Sequence, residues 1–314
     1  MNILAILQII CQVLNSGSRA LALSHFLGYS VAMSIAVNSK EIKALSLDLD
    51  GTILAPGVKL TGRTIRAIKA CRRRGLKIII NTGRTVDSAE PFRAALNADG
   101  LMVFCNGALV VDVPLGRVLR ATLLDKQAAA FCAELSRETG TYYQVFFPGE
   151  GNETQITVLA ERKGPEWEMY LNHTGRRVEI GDLTQALSRP ALKGCIKAMF
   201  LAEPDILATL REKIHVGLGT SVYTAQTFRT FLEVMDAKVS KGQGLKTVME
   251  HYSLKREEVL AIGDEENDLP MFAVAGFSAA PANAKDSVKA AVDIVIGSNA
   301  EDGVAAFLEE FFAL

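Results

Sequence analysis

The sequence predicts an α/β protein whose mostly parallel sheet is interrupted by a second, α+β region. Three observations carry this. Aliphatic runs at residues 44–47, 76–80 and 259–262 read as short strands buried on both faces. Helical patterns lie between them, as crossovers between parallel strands require. From about residue 111 to residue 235 the pattern changes to strands paired in sequence and packed with helices. The expected division is therefore a core made of residues 40–110 and 236–314, with residues 111–235 inserted.

The core elements follow in order. After the first strand, residues 61–74 form a helix, with Thr61 to cap its start and Gly75 to stop it. Residues 76–80 and 101–105 are the next two strands, ending at Asn81-Thr82-Gly83 and at Asn106-Gly107. In the insert, strands are expected at 118–124, 142–147, 155–159, 177–180, 195–201, 221–225 and 231–235. Helices are expected there at 126–139, 166–172 and 205–216. The parallel pattern resumes with a helix at 241–251, a strand at 259–262 and a helix at 269–275. Short strands at 277–280 and 293–296 and a closing helix at 301–312 complete it.

Composition limits the function. With 49% hydrophobic and 22% charged residues the chain reads as an ordinary globular protein. A net charge of -1 favours neither nucleic acid nor stable membrane association. The five cysteines, Cys11, Cys71, Cys105, Cys132 and Cys195, are odd in number and form no Cys-x-x-Cys pair, which suits reduced thiols in a cytoplasmic protein. His25, His173, His215 and His251 have no zinc-ligand spacing and read as surface or boundary residues. Residues 1–39 carry a single Arg or Lys, Arg19, and no acid. Their apolar runs are interrupted and lack the basic start of a signal peptide. An N-terminal extension, or a true start at Met33, is favoured over a membrane-targeting segment. Oligomeric state is not legible.

The stretch that organises the chain is Asp48-Leu49-Asp50-Gly51-Thr52, at the C-terminal end of the first strand. Open α/β sheets place their ligands there. A strand's period of two aims both carboxylates at one face, where they repel unless a cation lies between them or one is protonated. Alone, such a motif is usually an acidic turn. Thr82-Gly83-Arg84, after the second strand, offers a hydroxyl and backbone amides to a phosphate oxygen. Ser240-Lys241-Gly242 opens a helix and brings a cation. Gly263-Asp264-Glu265-Glu266-Asn267-Asp268 follows the strand at 259–262 and offers the hard oxygen ligands that Mg²⁺ takes. Each motif has an ordinary alternative, a turn, a solvated lysine or an acidic helix start, and the set is more specific than its members.

In order and sequence these stretches resemble the haloacid dehalogenase superfamily, and within it the Cof-type, sugar-phosphatase-like branch. Asn106-Gly107-Ala108 and Phe231-Leu232-Glu233-Val234, running into Val239-Ser240-Lys241-Gly242, match as well, and the resemblance extends from about Lys43 to the C-terminus. It implies a Rossmann-like parallel-sheet core with an inserted α+β cap domain. It also implies a Mg²⁺-dependent phosphatase of small phosphorylated metabolites, such as sugar phosphates or phosphorylated cofactors. Asp48 would be the nucleophile, forming an aspartyl phosphate, and Asp50 the general acid/base and a backbone metal ligand. Thr82, Gly83, Lys241 and Asn267 would hold the phosphoryl group, and Arg84 and Asn106 would face substrate. Asp48 and Asp264 would bind Mg²⁺, with Asp268 supporting the metal or orienting Lys241.

A phosphomutase with the same aspartyl chemistry is the alternative that the motifs do not separate. A phospho-acceptor receiver domain shares acids, a hydroxyl and a lysine, but it needs neither an insert nor Asp50. A catalytically dead binding protein does not fit the intact Asp48, Asp50, Lys241 and Asp264. For the substrate, Arg162, Lys163, Arg176, Arg177, Lys193, Lys197 and Arg229 are the insert's candidate cations, most of them expected in solvent.

Overall fold

A computed structural model describes residues 39–314. The proposed start at Met33 and the readings of residues 1–38 lie outside it, as does Cys11. The described residues form fourteen strands and ten α-helices. They begin with β1 (Ala44–Leu47), α1 (Gly62–Arg73), β2 (Lys77–Ile80), α2 (Val86–Leu96), β3 (Gly100–Phe104), β4 (Leu109–Val113) and β5 (Arg117–Ala121). The inserted region continues with α3 (Lys126–Thr139), β6 (Tyr142–Gly149), β7 (Asn152–Ala160), α4 (Pro165–Thr174), β8 (Glu179–Ile180), α5 (Leu183–Leu187), β9 (Lys197–Leu201), α6 (Pro204–Leu218), β10 (Val222–Phe228) and β11 (Phe231–Asp236). The chain ends with α7 (Lys241–Tyr252), β12 (Val259–Ile262), α8 (Leu269–Val274), β13 (Phe277–Pro281), α9 (Asp286–Lys289), β14 (Ile294–Ile296) and α10 (Gly303–Phe311).

Five strands form a parallel sheet in the order β14-β13-β12-β1-β2. Its central strands β1 and β12 are buried along their whole length, as their aliphatic sequences require of strands covered on both faces. Ala44 pairs with Val259 on one side and Lys77 on the other, and the register holds to Leu47, Ile262 and Ile80. All three strands therefore end level, which brings three motif-bearing turns to one edge. Buried residues of α7 and α8, among them Leu245, Val248 and Met271, pack with Ala44, Ile79 and Ala261 of this sheet.

The expected third parallel strand behaves differently. β3 runs antiparallel to β4, which runs antiparallel to β5, and an isolated parallel bridge, Asn81 to Val103, joins this sheet to the end of β2. The hairpin follows from Cys105-Asn106-Gly107, a tight turn that reverses the chain at the end of β3. β4 runs continuously across residues 110 and 111, where the core was expected to end.

The inserted region forms a six-stranded sheet, β10-β11-β9-β6-β7-β8, mostly antiparallel. Its own core joins α3, α5 and α6 to β6, β9 and β11 through residues such as Cys132, Leu207, Leu210 and Phe200. Among the described residues no helix is long and apolar enough to cross a membrane.

Candidate active site

The three level strand ends and the start of α7 converge. Asp48 follows β1, and its N–H donates to the Ile262 carbonyl at 3.0 Å, which ties the turn after β1 to the end of β12. Gly51 then takes φ 80°, and a side chain there would collide with the Asp264 carboxylate. Glycine is what lets the two acidic turns approach. Thr52 donates to Asp264 Oδ1 at 2.6 Å and fixes that carboxylate.

Ser240 caps α7 by accepting from the Gln243 N–H at 3.1 Å, so Lys241 enters the site from the first turn. Its Nζ lies 2.6 Å from Asp48 Oδ1 and 2.6 Å from Asp268 Oδ1. Asp268 also accepts the backbone N–H groups of Asp264 and Glu265, at 2.9 and 3.0 Å, through its other oxygen. It thus orients Lys241 and shapes the acidic turn together.

Asp48, Asp264 and Asp268 are all buried, and each offers an oxygen within 4.8 Å of the others. One lysine cannot balance three carboxylates. Burial raises the Asp48 carboxyl most, Lys241 opposes this, and Asp268 and Asp50 add to it, leaving it at about 7. Asp264 is pushed up to about 9, by burial first and then by Asp48 and Asp268. Burial alone would depress Lys241, but Asp268 and Asp48 outweigh it and hold the ammonium above its ordinary range. This uncompensated, all-oxygen donor set fits a hard divalent cation such as Mg²⁺.

The remaining expected residues gather around this centre. The Thr82 N–H donates to the Val103 carbonyl at 3.0 Å, and Thr82 Oγ1 accepts from the Arg84 N–H at 3.2 Å. Arg84 turns to Asp50 in a two-pronged contact and so does not stand free for substrate. Asn267 lines the cavity beside Lys241. Asn106, expected to face substrate, is fully buried instead. Its Nδ2 donates to Glu233 Oε2 at 2.6 Å, and its Oδ1 accepts from Asn267 Nδ2 at 2.9 Å. The tight turn after β3 aims its side chain into the protein.

A cavity of about 560 Å³ opens over the site. Asp48, Asp50, Thr82, Gly83, Lys241 and Asp264 form its floor, while Tyr170, His173, Lys197, Phe228, Arg229 and Glu233 of the inserted region line the opposite wall. His173 lies 4.6 Å from Phe228 and 5.5 Å from Phe231, centroid to centroid. This aromatic wall was not expected from the sequence, since its members come from α4, β10 and β11. Among the candidate cations, Lys197 and Arg229 reach the cavity. Arg176 instead pairs with Asp87 and donates to Thr85 Oγ1 at 3.0 Å, fastening the insert to the start of α2. Arg162 is engaged by Glu166 and the Gly140 carbonyl, away from the cavity.

A model of the haloacid dehalogenase-like hydrolase family matches residues 45–308. The chain belongs to this family. Among the relatives of this hydrolase is the pyridoxal phosphate phosphatase YbhA of Escherichia coli (strain K12), 28% identical over 273 residues that cover 85% of this chain and 97% of that protein. Another is the 5-amino-6-(5-phospho-D-ribitylamino)uracil phosphatase YitU of Bacillus subtilis (strain 168), 27% identical over 281 residues, 86% of this chain and 97% of that one. The crystal structure of TM0651 from Thermotoga maritima superposes with a TM-score of 0.73 at 26% identity, covering 86% of this chain and 97% of that one. The resemblance to Cof-type haloacid dehalogenases is thus met, and this hydrolase is a phosphatase with an α/β core of parallel strands.

Proposed function

We propose that the protein is a Mg²⁺-dependent phosphatase of small phosphorylated metabolites, acting through a phosphoryl group carried on Asp48. The observation that carries this reading is the contact of Lys241 with both Asp48 and Asp268 beside the buried Asp264. Asp48, Asp264 and the backbone at Asp50 would hold the metal, which when bound supplies positive charge to the phosphoryl oxygens.

The residues of the chain divide the rest of the work. Lys241 turns Asp48 Oδ1 into position and balances its charge, so that the other oxygen can attack phosphorus in line with the leaving group. Thr82, the backbone around Gly83 and Asn267 hold the transferring oxygens. Asp50 gives a proton to the departing alkoxide, then takes one from the water that attacks the phosphoaspartate. For this Arg84 must release the Asp50 carboxylate or slide along it as substrate enters.

Residues 111–235 act as a cap that closes the cavity and excludes bulk water. Its aromatic wall and the named substrates of the two relatives, both carrying a nitrogen heterocycle, support ring-bearing phosphate esters as the first compounds to try. The unpaired, buried thiols of Cys71, Cys105, Cys132 and Cys195 suit a cytoplasmic enzyme. The testing experiment is phosphate release from a panel of phosphorylated metabolites, sugar phosphates included, with and without Mg²⁺. Absence of phosphate release from every ester overturns the reading.

A further inference from the structure

Asn106 sits in a backbone conformation that few side chains adopt. Cys105 and Asn106 have φ of 50° and 57°, and Gly107 follows at 100°. Such a run persists only where its surroundings over-determine it. The Cys105 N–H donates to the Arg84 carbonyl at 2.9 Å and the Asn106 N–H to the Thr82 carbonyl at 3.0 Å, which binds the turn to the Thr82-Gly83-Arg84 loop.

The Asn106 side chain is held from the other direction. Glu233, on β11, forms a buried ion pair with Lys197, on β9, and Lys197 Nζ also donates to the Gly83 carbonyl at 3.0 Å. An ionised carboxylate only accepts hydrogen bonds. One Glu233 oxygen takes the Lys197 ammonium, and the other takes the Asn106 amide N–H. Asn106 must then turn its own carbonyl away, where it accepts from Asn267 Nδ2. That in turn fixes the rotation of the Asn267 amide, whose buried Oδ1 has no hydrogen-bond partner among the described residues. A directional chain of donors and acceptors runs from the inserted sheet to the wall of the phosphoryl site.

We propose that Glu233 is a positioning residue for hydrolysis. With Lys197 on one oxygen, it sets the amide orientation of Asn106 and, through it, of Asn267. The inserted region thereby contributes to the chemistry of every substrate as well as to the choice among them. This rests on the phosphatase reading above. A pair that served packing alone would leave the reaction step unchanged in any variant that still folds.

The test uses the full chain with Mg²⁺ and the small ester 4-nitrophenyl phosphate, comparing Glu233→Gln, Asn106→Gly and the double variant. Gln brings its own amide donors and breaks the one-way chain. Gly tolerates the left-handed backbone and removes the link while leaving the ion pair in place. Each single change should lower kcat by about tenfold or more, with KM altered by less than about threefold, because the Asn267 Nδ2 that the chain orients has a second N–H to give the reacting group. The double variant should lose no more than the worse single one, since residues acting through one link are not additive. Parent-like kcat in Glu233→Gln, or losses that multiply in the double variant, overturn the proposal. Should Glu233→Gln fail to fold, Asn106→Gly decides, and parent-like kcat there overturns it. A parent protein that hydrolyses no ester at all contradicts the phosphatase reading, a result distinct from an active parent with unaffected variants.

Discussion

Arg84 holds Asp50 by a fork of two hydrogen bonds, Nε to Oδ2 at 2.7 Å and Nη2 to Oδ1 at 2.6 Å. The guanidinium also lies over the Phe92 ring, 5.0 Å from its centroid, so α2 fixes the arginine that fixes the acid. Bidentate geometry of this kind restrains direction as well as charge. It keeps the half-exposed Asp50 carboxylate in the cavity floor, turned toward Arg84, beside the buried Asp48.

Asp50→Asn should therefore leave attack by Asp48 possible while removing proton transfer. The expected loss in kcat is about 10²–10⁴-fold for alkyl phosphates, the range typical of a lost general acid. It should be clearly smaller for 4-nitrophenyl phosphate, whose leaving group needs little protonation. Steady-state rates on the two ester classes measure this, and equal losses would remove the general-acid role.

Metal binding should depend on pH in a fixed direction. With Asp48 at about 7 and Asp264 at about 9 in the metal-free fold, both hold protons that the unfolded chain releases above about 4. The folded state binds more protons over that window, so the metal-free protein loses stability as pH rises through it. A cation must displace the same protons, so its affinity rises with pH. The Tm gain on adding Mg²⁺ should be larger near pH 8 than near pH 6. Chelator should also abolish turnover and Mg²⁺ restore it. A Tm gain that shrinks with pH, or full turnover in metal-free buffer, counts against this account.

Gly107 should not tolerate a side chain. Its φ of 100° is already unfavourable for other residues, and a Cβ would press into the Ser240 carbonyl, at the cap of the helix that carries Lys241. Gly107→Ala should cost about 1–3 kcal/mol from the backbone alone. It should also lower kcat by shifting Lys241. Denaturant unfolding and turnover of the same preparation check both, and an unchanged midpoint would contradict so close an approach.

Much of the core was readable because its strands are aliphatic runs that stop at Gly, Asn or Asp. β1, β2 and β12 are fully or mostly buried, so their composition is one-sided and their ends are sharp. α2 was missed for a physical reason: Pro91 lies inside it, and Ala89 and Leu96 are its buried residues, too few for an apolar stripe. β4 was hidden because a strand after Asn106-Gly107 looks like the continuation of a loop until the hairpin is seen. Lys197 and Glu233 stand in otherwise apolar stretches, Lys197-Ala198-Met199-Phe200-Leu201 and Phe231-Leu232-Glu233-Val234. A charge inside a buried strand asks for a partner. Finding that partner required the pairing of β9 with β11, which sequence spacing does not reveal.

Substrate choice should respond to the insert's cations unequally. Arg229 lines the cavity, whereas Arg162 is engaged away from it. Arg229→Ala should reorder preferences across a panel of phosphorylated metabolites and change 4-nitrophenyl phosphate hydrolysis far less. Arg162→Ala should leave the order as it is. A reordered panel in Arg162→Ala with Arg229→Ala unchanged would reverse this assignment.

The central claim, that Asp48 carries the phosphoryl group, is tested most directly by Asp48→Asn. The substitution keeps the size of the side chain and removes its nucleophilic anion. With Mg²⁺ present, the folded variant should lose turnover by on the order of 10⁴-fold or more, as covalent catalysts do without their nucleophile. Rapid quenching of the parent during turnover should yield a peptide containing Asp48 that bears one phosphoryl group. Near-normal hydrolysis by the folded Asp48→Asn variant would contradict the account.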